Sequence, residues 1–269
     1  MLKAGTILKN KDLRKIFQCG LQGGMRRSHR TNSLILVSDR TRGIYKDRWE
    51  GNILYYTGMG LKGDQSISFS QNKTLAKSKN NKIEIHLFEV FDKGEYIYQG
   101  KAKLESSPFQ EIQLDINKKE RKVWIYPLKL IDQNNPVPIP EADFIKSRAN
   151  REKNLRKLSD EEISKRAELA KNKASKRQVI SNKYDSSEEI KELAKRKAKG
   201  KCMLCSKDAP FKDKDGTPFL EGHHIEWLSK GGQDIEKNVV ALCPNCHRKM
   251  HVLDLENDKK LLKQQFLSI

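Results

Sequence analysis

At 269 residues, with 54 Lys plus Arg against 35 Asp plus Glu and a formal net charge of +19, the chain has room for two modest domains. Its surface seeks polyanions, with an affinity that falls steeply with salt. No run of about 18 apolar residues occurs, which excludes a membrane-spanning helix, and the start MLKAGTILKNKD lacks the apolar core of a signal peptide, so a cytoplasmic protein with reduced thiols is predicted.

Residues 1–135 alternate short apolar stretches with turns: SLILVSD, NILYYTGMG, KIEIHLFEVFD, EYIYQGKAKL and RKVWIYPLKL. Val, Ile, Tyr and Phe dominate these runs and Gly or Asp-Lys-Gly separates them, which predicts β-strands in a compact, strongly curved sheet or barrel. Short helices are predicted from Asp12 to Cys19 and from Asn72 to Ser78. His86 and Trp124 alternate with apolar strand residues and are read as packed, and Cys19 as a small core residue. Met25, Arg26, Arg27, His29 and Arg30 form a basic segment suited to phosphates, while the glycines of TGMGLKGD, around Lys62, let the backbone approach DNA closely.

Within this half, GIYKDRWEGNILYYTGMGLKGDQ followed by QNKTLAKS resembles the SRA domain, a PUA-like β-barrel that binds DNA and turns a modified base out of the duplex. The resemblance covers roughly residues 20–130 and rests on a Tyr and an Asp ahead of Tyr-Thr-Gly-X-Gly, then Gly-Asp-Gln, then an Asn leading into a short helix. It implies that Tyr45 and Tyr56 sandwich the flipped base, that Asp47 accepts hydrogen bonds from its Watson–Crick edge, and that Thr57 lines the pocket wall. A flipped base has lost its stacking partners and regains that energy between flat side chains, with a carboxylate or amide reading its edge. The plainer alternative makes Tyr45, Trp49, Tyr55 and Tyr56 ordinary barrel core.

Residues 136–186 open with PVPIPEAD, preceded by Asn134 and Asn135, and continue as a run of Lys, Arg and Glu, which predicts a charged helical linker. One helix is expected from Phe144 to about Arg177, with a thin stripe of Ile163, Ala167, Ala170 and Ala174. Capping-box spacing in Ser159/Glu162 and Ser186/Glu189 sets helix starts near Asp160 and Ser187, and the second helix carries Ile190, Leu193 and Ala194 on one stripe.

Residues 187–269 carry the strongest signal. Two Cys-X-X-Cys knuckles, Cys202/Cys205 and Cys243/Cys246, supply four thiolates for a tetrahedral Zn²⁺. Between them an apolar strand from Phe219 to Ile225, a turn at Gly231 and Gly232 and a second strand from Val239 to Leu242 are predicted, with a helix after Cys246 ending near Asn257. On that helix His247 and His251 stand four residues apart, share a face and can hold one ion. His223 and His224 are strand neighbours facing opposite ways, so one can bind metal while the other faces a substrate. Four cysteines and four histidines can also build a purely structural module that grips nucleic acid without cutting it.

The arrangement resembles the HNH nucleases, the ββα-metal family, through His224, Asn238 and His247 with Gly231, Gly232 and the four cysteines. The resemblance implies that His224 is the general base, that His223, His247 and His251 hold a catalytic divalent ion (Mg²⁺, Mn²⁺ or similar), and that Asn238 orients the loop and supports His224. Trp227 stands where relatives carry proline, a departure assigned to loop packing.

The expected fold is α+β: an SRA/PUA-like barrel, a charged helical linker and a ββα-metal HNH domain with a four-cysteine zinc site. Reader ahead of cutter implies a modification-dependent, type IV-like restriction endonuclease that flips a modified cytosine (5-methyl or 5-hydroxymethyl) in double-stranded DNA and hydrolyses phosphodiester bonds, working as a homodimer. The alternatives are an HNH nuclease of other specificity, whether homing, repair or phosphorothioate-reading, and a non-cleaving reader of modified nucleic acid.

Overall fold

The computed structural model describes residues 2–41, 45–169 and 177–266. They divide into two compact units, residues 1–181 and 182–269.

The first unit runs β1 (Ile7–Lys9), α1 (Asn10–Phe17), β2 (Met25–Ser28), β3 (Ser33–Asp39), β4 (Arg48–Glu50), β5 (Ile53–Thr57), α2 (Ser70–Ala76), β6 (Glu84–Val90), β7 (Glu95–Leu104), β8 (Phe109–Leu114) and β9 (Glu120–Leu130). All nine strands join one sheet in the order β2-β3-β6-β7-β9-β5-β4, with β1 added on β7 and β8 on β9. The β3–β6 pair is parallel and the other pairs are antiparallel. Curvature enters at β7, which changes partner along its length: β1 at Glu95–Ile97, β6 up to Ala102, and β9 at Ala102–Leu104, with a bulge against Leu87/Phe88.

Both faces of β3 are covered, which is why SLILVSD reads as a continuous apolar run. Leu34 and Leu36 point into one cluster with Leu54, Tyr56, Leu87 and Leu128, and Ile35 and Val37 into another with Leu13, Phe17 and Phe88. The packed readings hold: His86 is bonded at Nδ1 to the Tyr98 hydroxyl at 2.9 Å, Cys19 belongs to the second cluster, and Trp124 packs against the first. Five of the nine strands are the five stretches read from sequence. The four missed are short (β1 and β4) or polar (β2 and β8).

The segment after β9 contains β10 (Ile139–Pro140), α3 (Glu141–Leu155), α4 (Asp160–Glu168) and β11 (Val179–Ile180). The single helix expected from Phe144 is two helices, because Ser159 caps the second: its Oγ accepts from Glu162 N and Glu162 closes the capping box. Ala170 and Ala174 lie outside the described residues. Ile139 is fully buried with Phe91 and Ile97, β10 pairs with β11, and Arg177 meets the buried carboxylate of Glu89 at 2.7 Å. Glu89 also takes the Trp49 indole N–H at 3.1 Å and Arg40 at 3.2 Å, so a buried charge is compensated from three sides.

The second unit has α5 (Glu188–Ala198), β12 (Glu221–His224), β13 (Val239–Leu242), α6 (Pro244–Leu253) and α7 (Glu256–Gln264). The Ser187 hydroxyl accepts from Ile190 N and caps α5. Ile225, Val240, Leu242, Met250 and Leu262 form the core, with Ala194 of α5 packed on it. The helix expected after Cys246 is α6, which begins before that cysteine because Pro244 is suited to the first helical turn; it stops at Asp254, whose φ is +46°, and α7 follows. No described helix is long and apolar enough to cross a membrane.

Candidate active site

Cys202, Cys205, Cys243 and Cys246 bring their sulfurs within 4.8 Å of one another. The Cys205–Cys243 separation is 4.0 Å, close to the spacing of about 3.8 Å that 2.3 Å bonds to a tetrahedral zinc require. Burial raises the Cys202 thiol, but the peptide N–H groups of Cys205, Cys243 and Leu204 outweigh it and bring its pKa down to about 7. The four-thiol arrangement fits a zinc ion, and the knuckles tie the residues before β12 to the start of α6.

The antiparallel pair β12–β13 sets His223 opposite Val240 and His224 opposite Val239. Strand alternation sends the two imidazoles to opposite faces. His223 faces α6, where its ring lies 5.0 Å from that of His247 and 4.9 Å from that of His251. One nitrogen from each of the three lies within 4.8 Å of the others, and His247 Nε2 and His251 Nε2 are 3.0 Å apart. His247 Nδ1–H donates to Glu221 Oε2 at 2.7 Å, which fixes its tautomer and leaves Nε2 as the ligand atom.

His223 Nε2 is buried with no hydrogen-bond partner among the described residues, and burial together with the neighbouring imidazoles lowers its pKa to about 3. An orphaned, neutral imidazole nitrogen aimed at two others is what a divalent cation requires of its ligands. The cleft in front of them measures about 650 Å³ and is also lined by Lys183, Tyr184, Lys191 and Trp227.

His224 leaves β12 on the opposite side from His223 but lines the same cleft; its Nε2–H donates to Asp234 Oδ1 at 2.8 Å, and Asp234 Oδ2 accepts from Ser187 N at 2.7 Å. The Nδ1 lone pair of His224 is thereby left available as a base. Asn238 accepts from Glu226 N at 2.8 Å and donates to the carbonyls of Glu226 (2.9 Å) and Gln233 (2.7 Å). It therefore ties Glu226 to Gln233 within the loop, while the side chain bonded to His224 is Asp234 and not Asn238. In the Gly231–Gly232 turn, Gly231 has φ +89° and a Cβ on Gly232 would come within 2.0 Å of Glu226 O, so both positions demand glycine.

Trp227 does more than loop packing, since it lines the cleft with its ring 5.3 Å from that of His251. Sequence reading missed Asp234 and Glu221. Asp234 sits in an ordinary polar loop and gave no signal, whereas Glu221, two residues before His223 on one strand face, was findable by alternation.

In the first unit the pocket residues partly converge. Asp47 and Thr57 are 9% and 2% exposed, and Asp47 Oδ1 accepts from Thr57 N at 2.8 Å. Desolvation raises the Asp47 pKa against the pull of Arg40. The half-buried Tyr45 points its hydroxyl at Gly60 O, 3.4 Å away. Tyr56 is a correction: at 3% exposure it belongs to the core cluster and donates its hydroxyl to Gly24 O at 2.7 Å, so it offers no free face for a base.

The motif residues Gln65 and Asn72 hold the turn after β5. Gln65 donates to Gly58 O and accepts from Trp124 N, and Asn72 clasps Met59 and Ser66. Arg26 is also a correction, being 5% exposed and bonded to Asn10 and Tyr96, and Arg27 is taken up by Ser33 O and Asn32. Arg30 remains on the surface, where it lines a cleft of about 430 Å³ with Lys11, Arg14 and Lys15 of α1. Lys62 is exposed.

Residues 4–149, more than half of the chain, match the family described as ScoMcrA-like, SRA domain. The chain belongs to that family. Residues 202–252 match the HNH endonuclease family, so an SRA domain precedes an HNH domain. A curated relative, the type IV methyl-directed restriction enzyme EcoKMcrA of Escherichia coli strain K12, is 45% identical over 80 residues, which is 30% of this chain and 28% of the relative. Among solved structures, the type IV phosphorothioation-dependent restriction endonuclease ScoMcrA aligns with 98% of this chain and 62% of its own at 17% identity (TM-score 0.42), and the modification-dependent TagI restriction endonuclease with 93% and 78% at 18% identity (TM-score 0.38). The chain thus spans well under a third of the curated relative it matches and under two thirds of ScoMcrA.

Proposed function

We propose that this chain reads a modified cytosine in double-stranded DNA with its SRA domain and hydrolyses a phosphodiester bond with its HNH domain. Residues 1–135 read, residues 187–269 cut, and residues 136–186 join them. The observation that carries the nuclease reading is the division of labour on β12: His223 faces His247 and His251, while its neighbour His224 is oriented by Asp234.

In this reading His224 Nδ1 takes the proton of the attacking water, and Asp234 holds the imidazole in the tautomer that makes Nδ1 an acceptor. His223, His247 and His251 would hold a divalent cation, with Glu221 fixing His247. Such a cation supplies charge stabilisation to the crowded phosphate and to the departing 3′ oxygen. The four cysteines would hold a structural zinc. Asn238 keeps the loop between the strands at the spacing that lets Asp234 reach His224. One HNH domain cuts one strand, so a double-strand break calls for two copies meeting on the DNA.

The test is cleavage of one plasmid in unmodified, 5-methylcytosine, 5-hydroxymethylcytosine and phosphorothioate forms with Mg²⁺ or Mn²⁺, using His224→Ala as control. Cutting confined to the cytosine-modified forms supports the reading, and equal cutting of all forms sinks the modified-base half. Cutting of the phosphorothioate form alone moves the specificity to the backbone. Absence of metal-dependent cutting leaves a reader without a cutter.

A further inference from the structure

Arg121 heads the fully buried side chains of the first unit by volume, at 2% exposure, and among the described residues it has no ion-pair partner. Its Nη1 donates to Gly60 O at 2.5 Å, but Nε and Nη2 are buried with no acceptor. Asp115, the carboxylate whose charge it feels, accepts instead from the peptide nitrogens of Gly63, Asn117 and Lys119. A desolvated guanidinium with two idle donors is destabilising unless something else requires it. A structural role for Nη1 alone would not demand a charge.

The idle donors have a direction. Nε–H and Nη2–H share one edge of the guanidinium and form a two-pronged fork. Gln113 lies directly across the β8–β9 ladder from Arg121, so the two side chains are neighbours on one face. Gln113 is 3% exposed, its Nε2 sits 3.5 Å from Thr57 Oγ1, and its Oε1 has no donor. Thr57 is in turn bonded to Asp47, and Tyr45 shares the Gly60 carbonyl with Arg121. The five side chains form one contiguous polar network, and four of them are buried.

We propose that Arg121 and Gln113 are the residues that read the base edge, with the Arg121 fork donating to two adjacent acceptors and Gln113 Oε1 accepting from an amino group beside them. The inference rests on the proposed reading of a modified base and deepens it. Two acceptors followed by an amino donor is the Watson–Crick edge of cytosine (O2, N3, N4–H); thymine alternates acceptor and donor, adenine offers one acceptor beside its amino group, and a phosphate or phosphorothioate has no donor. Tyr45 is the network's one half-exposed member, and the C5 substituent of a cytosine held this way points away from the Arg121 fork.

The experiment measures, for the full chain and the variants Arg121→Met and Gln113→Leu, thermal unfolding and the affinity for duplexes carrying unmodified cytosine, 5-methylcytosine, 5-hydroxymethylcytosine or phosphorothioate. Arg121→Met removes an uncompensated buried charge at similar volume, so its Tm is expected to stay level or rise while the preference for modified cytosine falls roughly 5- to 150-fold. Gln113→Leu is expected to lose preference as well. A fall in Tm of several degrees with the preference kept makes Arg121 a structural residue and overturns the proposal. If Arg121→Met does not fold, Gln113→Leu decides alone: preference kept overturns the proposal, and preference lost upholds it. A wild-type chain indifferent to cytosine modification overturns the underlying reading and this inference together, whereas preference in the wild type and in both variants overturns this inference only.

Discussion

At the scale of single residues, Asp234 is the group whose effect is easiest to isolate. An Asn there can still accept from Ser187 N through its oxygen, but its amide must donate to His224 Nε2, which moves the imidazole proton to Nδ1 and removes the base. Asp234→Asn is therefore expected to lower the single-turnover cutting rate by roughly 10²- to 10⁴-fold with DNA affinity and zinc content unchanged. Cutting at the wild-type rate would show that Asp234 does not govern His224.

His223 gives a pH prediction. Its folded pKa is lowered to about 3 by burial and by the imidazoles of His247 and His251, so between the ordinary histidine value and about 3 the unfolded chain binds the proton and the folded chain does not. That contribution is fully present above about pH 6.5 and is lost as the pH falls. With divalent ions chelated from the histidine site, Tm should drop more steeply from pH 7 to 4 in the wild type than in His223→Gln; parallel curves would contradict the burial argument.

At the scale of elements, the two cysteine knuckles are the tie between α6 and the residues that precede β12. A structural zinc contributes on the order of 10–16 kcal/mol in small modules, comparable with the whole stability of about 5–15 kcal/mol of a domain. Cys243→Ser should release the zinc and abolish the cooperative unfolding transition of the second unit, while the first unit keeps its own transition. Two transitions surviving in calorimetry would argue against a zinc-dependent fold.

Legibility differed among elements for physical reasons. β13 was legible to the residue because Val239–Leu242 is apolar and flanked by Asn238 and Cys243. β8, FQEIQL, was not, because it exposes one side and turns the polar Gln113 inward. The break between α3 and α4 was half visible: the capping box at Ser159 was read, but the charged run looked continuous across it.

For the molecule as a whole, the net charge of +19 dominates encounter with DNA and says nothing about which DNA. If six to ten phosphates are neutralised, affinity for an unmodified duplex should fall about 10³- to 10⁵-fold between 50 and 200 mM salt. The ratio of modified to unmodified affinity should hardly move, since base-edge contacts release no counterions. A ratio that collapses with salt would assign the discrimination to phosphate contacts instead of the pocket.

The sequence by itself determined which side chains could hold metal and the order of the parts. Ligand spacing is local: two Cys-X-X-Cys pairs, adjacent histidines on a strand and histidines four apart on a helix place their donors through secondary structure alone. Only the tertiary structure decided what surrounds those donors. Asp234 reaches His224 through a loop, Arg121 meets Gln113 across a ladder, and Tyr56 and Arg26 turn inward. Each of these depends on which face of a strand is covered and on what lies opposite it, and strand pairing between distant segments leaves no periodic trace in the chain.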